Sequence, residues 1–227
     1  MSDIVTLKAL VVDDSAMYRK IVQDVLEAFP NVEIVGTAQN GKIALSKAAA
    51  LKPDLLTLDI EMPEMDGLEV LEHLKKEVPD AVAIVFSAYT TEGARITLRA
   101  LELGAFDFIP KPGSGNLEEN RDRFKFEIAP ILEALVRIKR EKTAVKAISL
   151  PQQAQRVAVP APLPQHAQHS KVVAIGISTG GPVALTKLIP KIPADIGVPI
   201  FIVQHMPPMF TEALARKLDA ISDISVK

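Results

Sequence analysis

The 227-residue sequence contains no cysteine, so disulfide bonds and thiolate metal sites are excluded. It also lacks an apolar run approaching the roughly 18 residues that a membrane-spanning helix needs, and its N-terminus lacks the apolar core of a signal peptide. Neither sign of charge dominates, because the sequence contains 26 Lys and Arg residues and 28 Asp and Glu residues. That balance does not favour nucleic acid or an anionic membrane as a partner. We expect a soluble, cytoplasmic protein that neither binds nucleic acid nor inserts into a membrane.

Short apolar runs alternate with helix-like segments in the first part of the chain. Leu68, Leu71 and Leu74, for example, recur at helical spacing. Mostly apolar strands separated by helices are typical of a parallel sheet that is covered on both faces. The pattern predicts a doubly wound α/β domain with a five-stranded parallel sheet over residues 5–128. The predicted strands are residues 7–12, 32–38, 54–59, 81–86 and 106–110.

The character of the sequence changes after this domain. Residues 117–142 have the pattern of a charged helix, in which Pro130 could introduce a kink or a break. Residues 149–170 lack apolar periodicity and hold four prolines, which favour extended backbone. We therefore predict that residues 129–170 are a helical extension followed by an interdomain linker. The linker contains two histidines, His166 and His169. We attribute them to the composition of the linker in preference to a metal site.

The β/α alternation resumes in residues 171–227, which are predicted to begin a second α/β domain. Strands are expected at residues 172–177 and 199–203, and helices at residues 182–188 and 210–218. A two-stranded parallel sheet cannot bury both of its faces. We therefore expect another chain or a missing segment to complete this unit, and we favour truncation.

Acidic residues follow two strands of the first domain. Asp13 and Asp14 come after the first strand, and Asp59 ends the third. In a doubly wound sheet these positions share the ligand-binding edge. Three crowded carboxylates repel one another unless a cation lies among them, and a set of oxygen ligands suits Mg²⁺. Taken alone, an Asp pair after a strand is as often a turn or a helix cap.

Two further residues reach the same edge of the sheet. Ser87 follows the fourth strand and Lys111 follows the fifth. The set then comprises a candidate phosphoryl acceptor, a metal site, a hydroxyl donor and a cation, which are the parts needed to form and stabilise an aspartyl phosphate. Each residue alone has an ordinary structural explanation. Five suitable residues at one end of four strands argue against coincidence.

Four stretches of the first domain resemble the characteristic sequences of response-regulator receiver domains. The resemblance implies that Asp59 accepts a phosphoryl group from a histidine kinase of the CheA type. It also implies that Phe108 occupies the aromatic switch position, where a ring without a hydroxyl must act by packing, and that the bond between Lys111 and Pro112 is cis. The four stretches are VVDDSA (residues 11–16), LDIEMPEMDG (58–67), FSA (86–88) and DFIPKP (107–112).

The same resemblance assigns the other residues of this edge. It implies that Ser87 and Lys111 contact the phosphoryl group through a hydroxyl and an amine. The Mg²⁺ ligands that it implies are Asp13, Asp14, Asp59 and the backbone carbonyl of Glu61.

The stretch GISTG, which begins at Gly176, has two possible interpretations. It fits the nucleophile turn G-x-S-x-G, and the same region nearly fits the phosphate cradle G-x-G-x-x-G. The cradle needs glycine where Ser178 stands, and Asp195, the nearest acidic candidate for a ribose, precedes the second strand instead of closing it. His205 follows that strand, where a parallel sheet would place it beside Ser178 as the base that a nucleophile needs. A lone histidine after a strand is otherwise often a loop residue.

The order of a receiver, a proline-rich linker, AIGISTGGP and IVQHMPP is similar to that of the CheB family of chemotaxis protein-glutamate methylesterases. The resemblance implies that residues 171–227 open a Rossmann-like methylesterase domain. Ser178 would be the nucleophile and His205 the general base that hydrolyse glutamate methyl esters on methyl-accepting chemoreceptors, without a cofactor. The backbone amides of Thr179 and Gly180 are candidates to assist. The family chemistry also allows glutamine deamidation, and phosphorylation would relieve blocking of the esterase face by the receiver.

One part of the family pattern has no counterpart in this sequence. In the family, the aspartate that orients the histidine lies far beyond the second strand, and Asp219 and Asp223 come too soon to replace it. Losing such a carboxylate lowers the rate by about 10⁴ in the serine-protease template. We therefore expect the chain alone to be inactive as a hydrolase. The alternative function is a phospho-receiver and binding module without catalysis.

Overall fold

The first domain is built on five strands, and the computed structural model describes residues 5–111, 117–147 and 171–227 of the chain. The strands are β1 (Leu7–Val12), β2 (Val32–Ala38), β3 (Leu55–Asp59), β4 (Val82–Ser87) and β5 (Asp107–Pro110). They form one parallel sheet in the order β2-β1-β3-β4-β5. The chain adds β2 on one side of β1 and then β3 to β5 on its other side. In such sheets the ligand-binding crevice lies at this reversal of strand order, so the carboxyl ends of β1 and β3 border it. The predicted doubly wound fold is confirmed.

Five helices cover this sheet. They are α1 (Ala16–Glu27), α2 (Gly41–Leu51), α3 (Gly67–Glu77), α4 (Thr91–Leu103) and α5 (Leu117–Ala147). Each of the first four follows a residue whose side chain accepts a backbone N–H of the first turn, which favours the start of a helix at that point. At α3, Asp66 and Glu69 form a reciprocal capping box. In the described part of the chain, no helix is both long and apolar enough to cross a membrane.

Alternation along the strands sends apolar side chains to both faces of the sheet. On β1, Leu10 and Val12 join the core on one face, while Ala9 and Val11 join the core on the other. Burial on both faces explains why the strand reads as an almost continuous apolar run. The polar residues that end or follow the strands therefore stand out as candidates for function.

Helix α5 continues through Pro130, where the sequence suggests a kink or a break. Proline lacks the N–H that an interior helical position normally donates. The residues on either side, Ile128, Ile131 and Leu132, are fully or almost fully buried in the core beneath α5. This packing stabilises the helical backbone across the proline, and the helix extends beyond the predicted end at residue 142.

The second unit consists of two strand–helix pairs. Its elements are β6 (Val173–Ile177), α6 (Gly181–Leu188), a 3-10 turn (Ile189–Lys191), β7 (Ile200–Gln204) and α7 (Pro208–Ile221). The strands pair in parallel, and Ile175 and Ile202 pack toward the helices. On the other face, Phe201 is 63% exposed and Val203 is 72% exposed. The sheet therefore buries only one face among the described residues, as predicted.

An aromatic cluster joins the two units. Phe210, in the first turn of α7, is fully buried, and its ring stacks on Phe108 of β5 with 4.7 Å between the ring centres. The ring of Tyr89, which lies between β4 and α4, is 6.0 Å from that of Phe210. Lys217 of α7 forms an ion pair with Glu102 of α4. The second unit therefore packs on the α4 and β5 side of the first domain.

Candidate functional site

Three carboxylates meet at the carboxyl ends of β1 and β3. One oxygen from each of Asp13, Asp14 and Asp59 lies within 4.8 Å of the others. Asp13 and Asp59 are buried, whereas Asp14 is exposed to solvent. Clustered oxygen donors with access to solvent suit Mg²⁺, which binds carboxylates and keeps several of its own waters. The residues present therefore fit such an ion.

Lys111, directly after β5, spans two of these carboxylates. Its Nζ lies 2.7 Å from Asp59 Oδ2, 3.0 Å from Asp13 Oδ2 and 4.8 Å from the centre of the Tyr18 ring. The backbone N–H of Lys111 donates to the Ser87 carbonyl at 2.7 Å, which fixes the base of the side chain. Burial alone would lower the pKa of Lys111, but the two ion pairs outweigh it and the pKa is raised. The amine therefore remains a cation within the cluster.

Asp59 lies at the centre of the acidic cluster and is 3% exposed. Burial raises the pKa of Asp59 to about 6, because the attraction of Lys111 only partly offsets it and Asp13 adds repulsion. The backbone N–H of Glu61 donates to Asp59 Oδ1 at 3.3 Å. The carboxylates hold more negative charge than Lys111 neutralises, so a divalent cation would be stabilised at this position.

Other residues predicted for this edge make different contacts. The buried Ser87 hydroxyl donates to the Gly93 carbonyl at 3.0 Å, so it is engaged with α4 and not with the acidic cluster. Phe108 lies in the aromatic cluster between the units. The bond between Lys111 and Pro112, predicted to be cis, lies outside the described residues.

A second candidate site lies at the carboxyl ends of β6 and β7. Ser178 follows β6 and His205 follows β7, and the N–H of His205 donates to the Ile177 carbonyl at 3.1 Å. Both residues are exposed, and both line a cleft of about 740 Å³ between the second unit and the first domain. Parallel pairing therefore brings the predicted nucleophile and base to one edge. Across residues 171–227 as described, no hydrogen bond joins the Ser178 hydroxyl to the His205 imidazole.

The turn after Ser178 contacts the first domain. Its Gly180 has a φ of 72°, in the region that favours glycine, and precedes α6. The N–H of Gly180 donates to Asp107 Oδ2 of β5 at 3.1 Å. Asp107 is 8% exposed and also accepts the N–H of Phe108 at 2.9 Å. A buried carboxylate of the first domain is therefore bound to the turn that carries the candidate nucleophile.

Two family models match the chain: the response regulator receiver domain matches residues 9–120, and the CheB methylesterase matches residues 173–227. A protein-glutamate methylesterase/protein-glutamine glutaminase of Desulfotalea psychrophila is 46% identical over 231 residues, which cover 97% of this chain and 62% of the relative. A protein of the same name, numbered 2, from Pseudomonas savastanoi pv. phaseolicola is 38% identical over 260 residues, covering 97% of this chain and 67% of the relative. The chain belongs to the CheB methylesterase family.

Both candidate sites lie inside the matched regions of the family. The receiver match includes the acidic cluster and Lys111, and the methylesterase match includes Ser178 and His205. Among solved structures, the response regulator domain of Thermotoga maritima CheB has 39% sequence identity and a TM-score of 0.48, covering 58% of this chain and 94% of that chain. The chain spans about three fifths of the length of the Desulfotalea relative, 62%.

The described residues do not supply an orienting acid for His205. No carboxylate among them forms a hydrogen bond with its imidazole. Asp219 instead accepts the N–H of Val226 at 2.8 Å, which ties it to the segment after α7.

Two residues of the second site are not predicted from the sequence. Asp107 contacts Gly180 although the two are 73 positions apart. Gln204 stands next to His205, and its side-chain amide donates to the Ser178 carbonyl at 3.1 Å. In both cases the available signal is a polar residue at one terminus of an otherwise apolar strand, since Asp107 begins β5 and Gln204 ends β7.

The Asp107→Asn variant should change how stability depends on pH. Desolvation raises the pKa of Asp107 to about 6, and hydrogen bonds from two backbone N–H groups offset this only in part. In the unfolded chain the carboxyl ionises near pH 4. Between about pH 4 and 6 the folded state thus holds a proton that the unfolded state has lost, so this group lowers stability as pH rises through that window.

Urea unfolding of both proteins at several pH values between about 4 and 7 measures this effect. From the low to the high end, the wild type should lose on the order of 1–3 kcal/mol more unfolding free energy than Asp107→Asn. The raised pKa of Asp59 contributes equally to both proteins and cancels in the difference. Equal pH dependence of the two proteins would contradict the assignment.

Proposed function

We propose that the chain is part of a chemotaxis response regulator that hydrolyses glutamate methyl esters on chemoreceptors under the control of phosphorylation. The observation that carries the proposal is the cleft in which Ser178 and His205, at the ends of paired parallel strands, face β5 of a receiver domain. The names of the relatives also support glutamine deamidation by the same site. The proposed partners are a CheA-type histidine kinase and methyl-accepting chemoreceptors, and the proposed location is the cytoplasm.

Asp59 is the proposed phosphoryl acceptor. One of its carboxylate oxygens would attack the phosphorus of a phosphohistidine, the P–N bond would break, and an acyl phosphate would form. Bound Mg²⁺ would neutralise charge on the phosphoryl oxygens. Lys111, 2.7 Å from Asp59 Oδ2, is placed to pair with the new group, and Ser87 would have to leave the Gly93 carbonyl to donate to it. The proposed ligands of Mg²⁺ are Asp13, Asp14, Asp59 and the backbone carbonyl of Glu61.

Ser178 is the proposed nucleophile and His205 the proposed base. Ser178 Oγ would attack the ester carbonyl carbon while His205 takes its proton, and methanol would leave with that proton to give an acyl-enzyme. Water, deprotonated by His205, would then release the glutamate carboxylate and restore the serine. The N–H groups of Thr179 and Gly180 belong to the same turn and are suited to stabilise the oxyanion.

Control is proposed to run through β5, which contacts both sites. Asp107 at its start holds the N–H of Gly180, and Phe108 stacks on α7. Lys111 directly after β5 is paired with Asp59. A phosphoryl group on Asp59 would become the new partner of Lys111. Because Lys111 directly follows β5, this change would shift β5 and weaken both of its contacts with the second unit. Their loss would free the Gly180 N–H and open the cleft to a receptor segment.

Methanol release from methylated chemoreceptor membranes tests the hydrolase proposal. The assay compares the chain alone with a fusion in which Lys227 is followed by the part of the Desulfotalea relative beyond the matched region. We expect the fusion to release methanol, faster after phosphorylation, and Ser178→Ala in the fusion to abolish the release. The chain alone should be slower by about 10⁴-fold, because no carboxylate among its described residues orients His205.

Ser222→Ala is the matched control for this assay. Its hydroxyl donates to the Leu218 carbonyl at 2.6 Å at the end of α7, so the fusion should keep its activity. The proposal would be refuted by release that Ser178→Ala leaves unchanged. It would also be refuted by an inactive fusion on membranes that the Desulfotalea enzyme demethylates.

A further inference from the structure

The side-chain amide of Gln204, the last residue of β7, links the two residues of the proposed catalytic pair. Its Nε2 donates to the Ser178 carbonyl at 3.1 Å and to the His205 carbonyl at 3.2 Å. These carbonyls lie where the chain leaves β6 and β7, and Gln204 itself lines the cleft. One planar group therefore spans both strand ends at the edge of the cleft.

The partners of this amide determine its orientation. Both are carbonyl oxygens, which only accept hydrogen bonds, so the NH₂ end must face them. The Oε1 atom is then buried without a hydrogen-bond partner among the described residues. A buried acceptor left unpaired costs free energy.

Gly181 provides the space that the amide occupies. A Cβ atom on Gly181 would lie 1.9 Å from Gln204 Oε1 and 2.8 Å from its Cδ, which is closer than the atoms can approach. Gly181 begins α6, and it is not among the glycines with positive φ. Its backbone therefore does not require glycine, but the position of the Gln204 side chain does.

We propose that Gln204 is a positioning residue of the hydrolase, which fixes the Ser178 and His205 main chains relative to each other at the ends of β6 and β7. The inference rests on the proposed function. Gln204 acts through the two carbonyls and touches no reacting atom. Such a tie matters for rate because a displacement of about 1 Å in a catalytic group can cost about 10²-fold.

Nuclear magnetic resonance of the ¹⁵N-labelled 227-residue chain tests whether the tie exists. Gln204→Met removes the donor while keeping a flexible side chain of similar length. Because the Ser178 and His205 carbonyls share peptide units with the N–H groups of Thr179 and Met206, loss of the tie should shift those two amide signals. Gln23→Met on α1 is the matched control and should leave both signals in place. Unmoved signals in Gln204→Met would overturn the inference.

The kinetics of the fusion test whether the tie positions the catalytic pair. Gln204→Met and Gln204→Glu should each lower kcat by about 10- to 100-fold, while KM changes by less than about twofold. A packing role predicts that the apolar Gln204→Met keeps kcat. A positioning role predicts that both variants lose it, the glutamate more so because its carboxylate would face two carbonyl oxygens. Gly181→Ala should lower kcat as well, since its methyl group displaces the amide.

The outcomes distinguish this inference from the proposed function. An active fusion in which Gln204→Met keeps the wild-type kcat would overturn the positioning role and leave the hydrolase intact. An inactive fusion would overturn both, and shifted Thr179 and Met206 signals would then identify a purely structural tie. Lowered kcat, unchanged KM and shifted signals together support the inference.

Discussion

Incubation with acetyl phosphate and Mg²⁺ should add one phosphoryl group to the wild-type chain and none to Asp59→Asn. A carboxylate oxygen is the nucleophile in forming an acyl phosphate, and an amide is too poor a nucleophile to replace it. Asp59 is buried and forms the shorter of the two ion pairs to Lys111, at 2.7 Å. The neighbouring Asp13 is itself paired with Lys111 and serves as a proposed metal ligand. Intact-mass spectrometry measures the gain.

Asp66→Asn is the matched control for this loss. Asp66 caps α3 outside the acidic cluster, and asparagine caps helices about as well as aspartate, so incorporation should be unchanged. Chelating the metal should stop incorporation in the wild type, because uncompensated carboxylates would repel the incoming phosphoryl group. Phosphoryl incorporation by Asp59→Asn would show that Asp59 is not the acceptor. Incorporation that a chelator does not affect would contradict the metal site.

The fold of the first domain was predictable because each strand is a short, mostly apolar run that ends in a polar residue or is followed by one. All five predicted strands agree with the structure to within one residue at either end. The acidic edge was predictable for a related reason, since parallel strands place their carboxyl ends together. Asp13, Asp59 and Lys111 therefore meet in the structure although Asp59 lies 46 positions after Asp13 and Lys111 lies 52 positions after Asp59.

The contacts between the two units were not predictable in this way. An apolar pattern reports that Phe108 and Phe210 are buried, but not that they pack on each other. The same holds for Asp107, whose partner Gly180 belongs to the other unit. The rotamer of Ser87 depends on α4, because the hydroxyl finds the Gly93 carbonyl there. These contacts depend on how helices and strands pack against one another after they form. Local sequence patterns do not encode that packing.

Phe210→Ala should release the second unit from the first domain. The Phe210 ring is fully buried between Phe108, at 4.7 Å, and Tyr89, at 6.0 Å. Truncating a core phenylalanine to alanine typically costs about 3–5 kcal/mol. The ion pair between Lys217 and Glu102 is partly exposed, and such pairs contribute about 0–1 kcal/mol. It therefore cannot compensate for the lost stack, while the core of the first domain, built largely from other residues, should stay folded.

Energy transfer between two dyes measures this release, and the absence of native cysteine makes the labelling specific. Cysteines in place of Arg95 on α4 and Arg216 on α7 stand on opposite sides of the groove between the units. Transfer should fall strongly in Phe210→Ala, less in Tyr89→Ala, and not in Phe126→Ala, whose side chain on α5 is 74% exposed. That ranking follows from burial and stacking at the interface. Undiminished transfer in Phe210→Ala would mean that contacts outside the aromatic cluster hold the two units together.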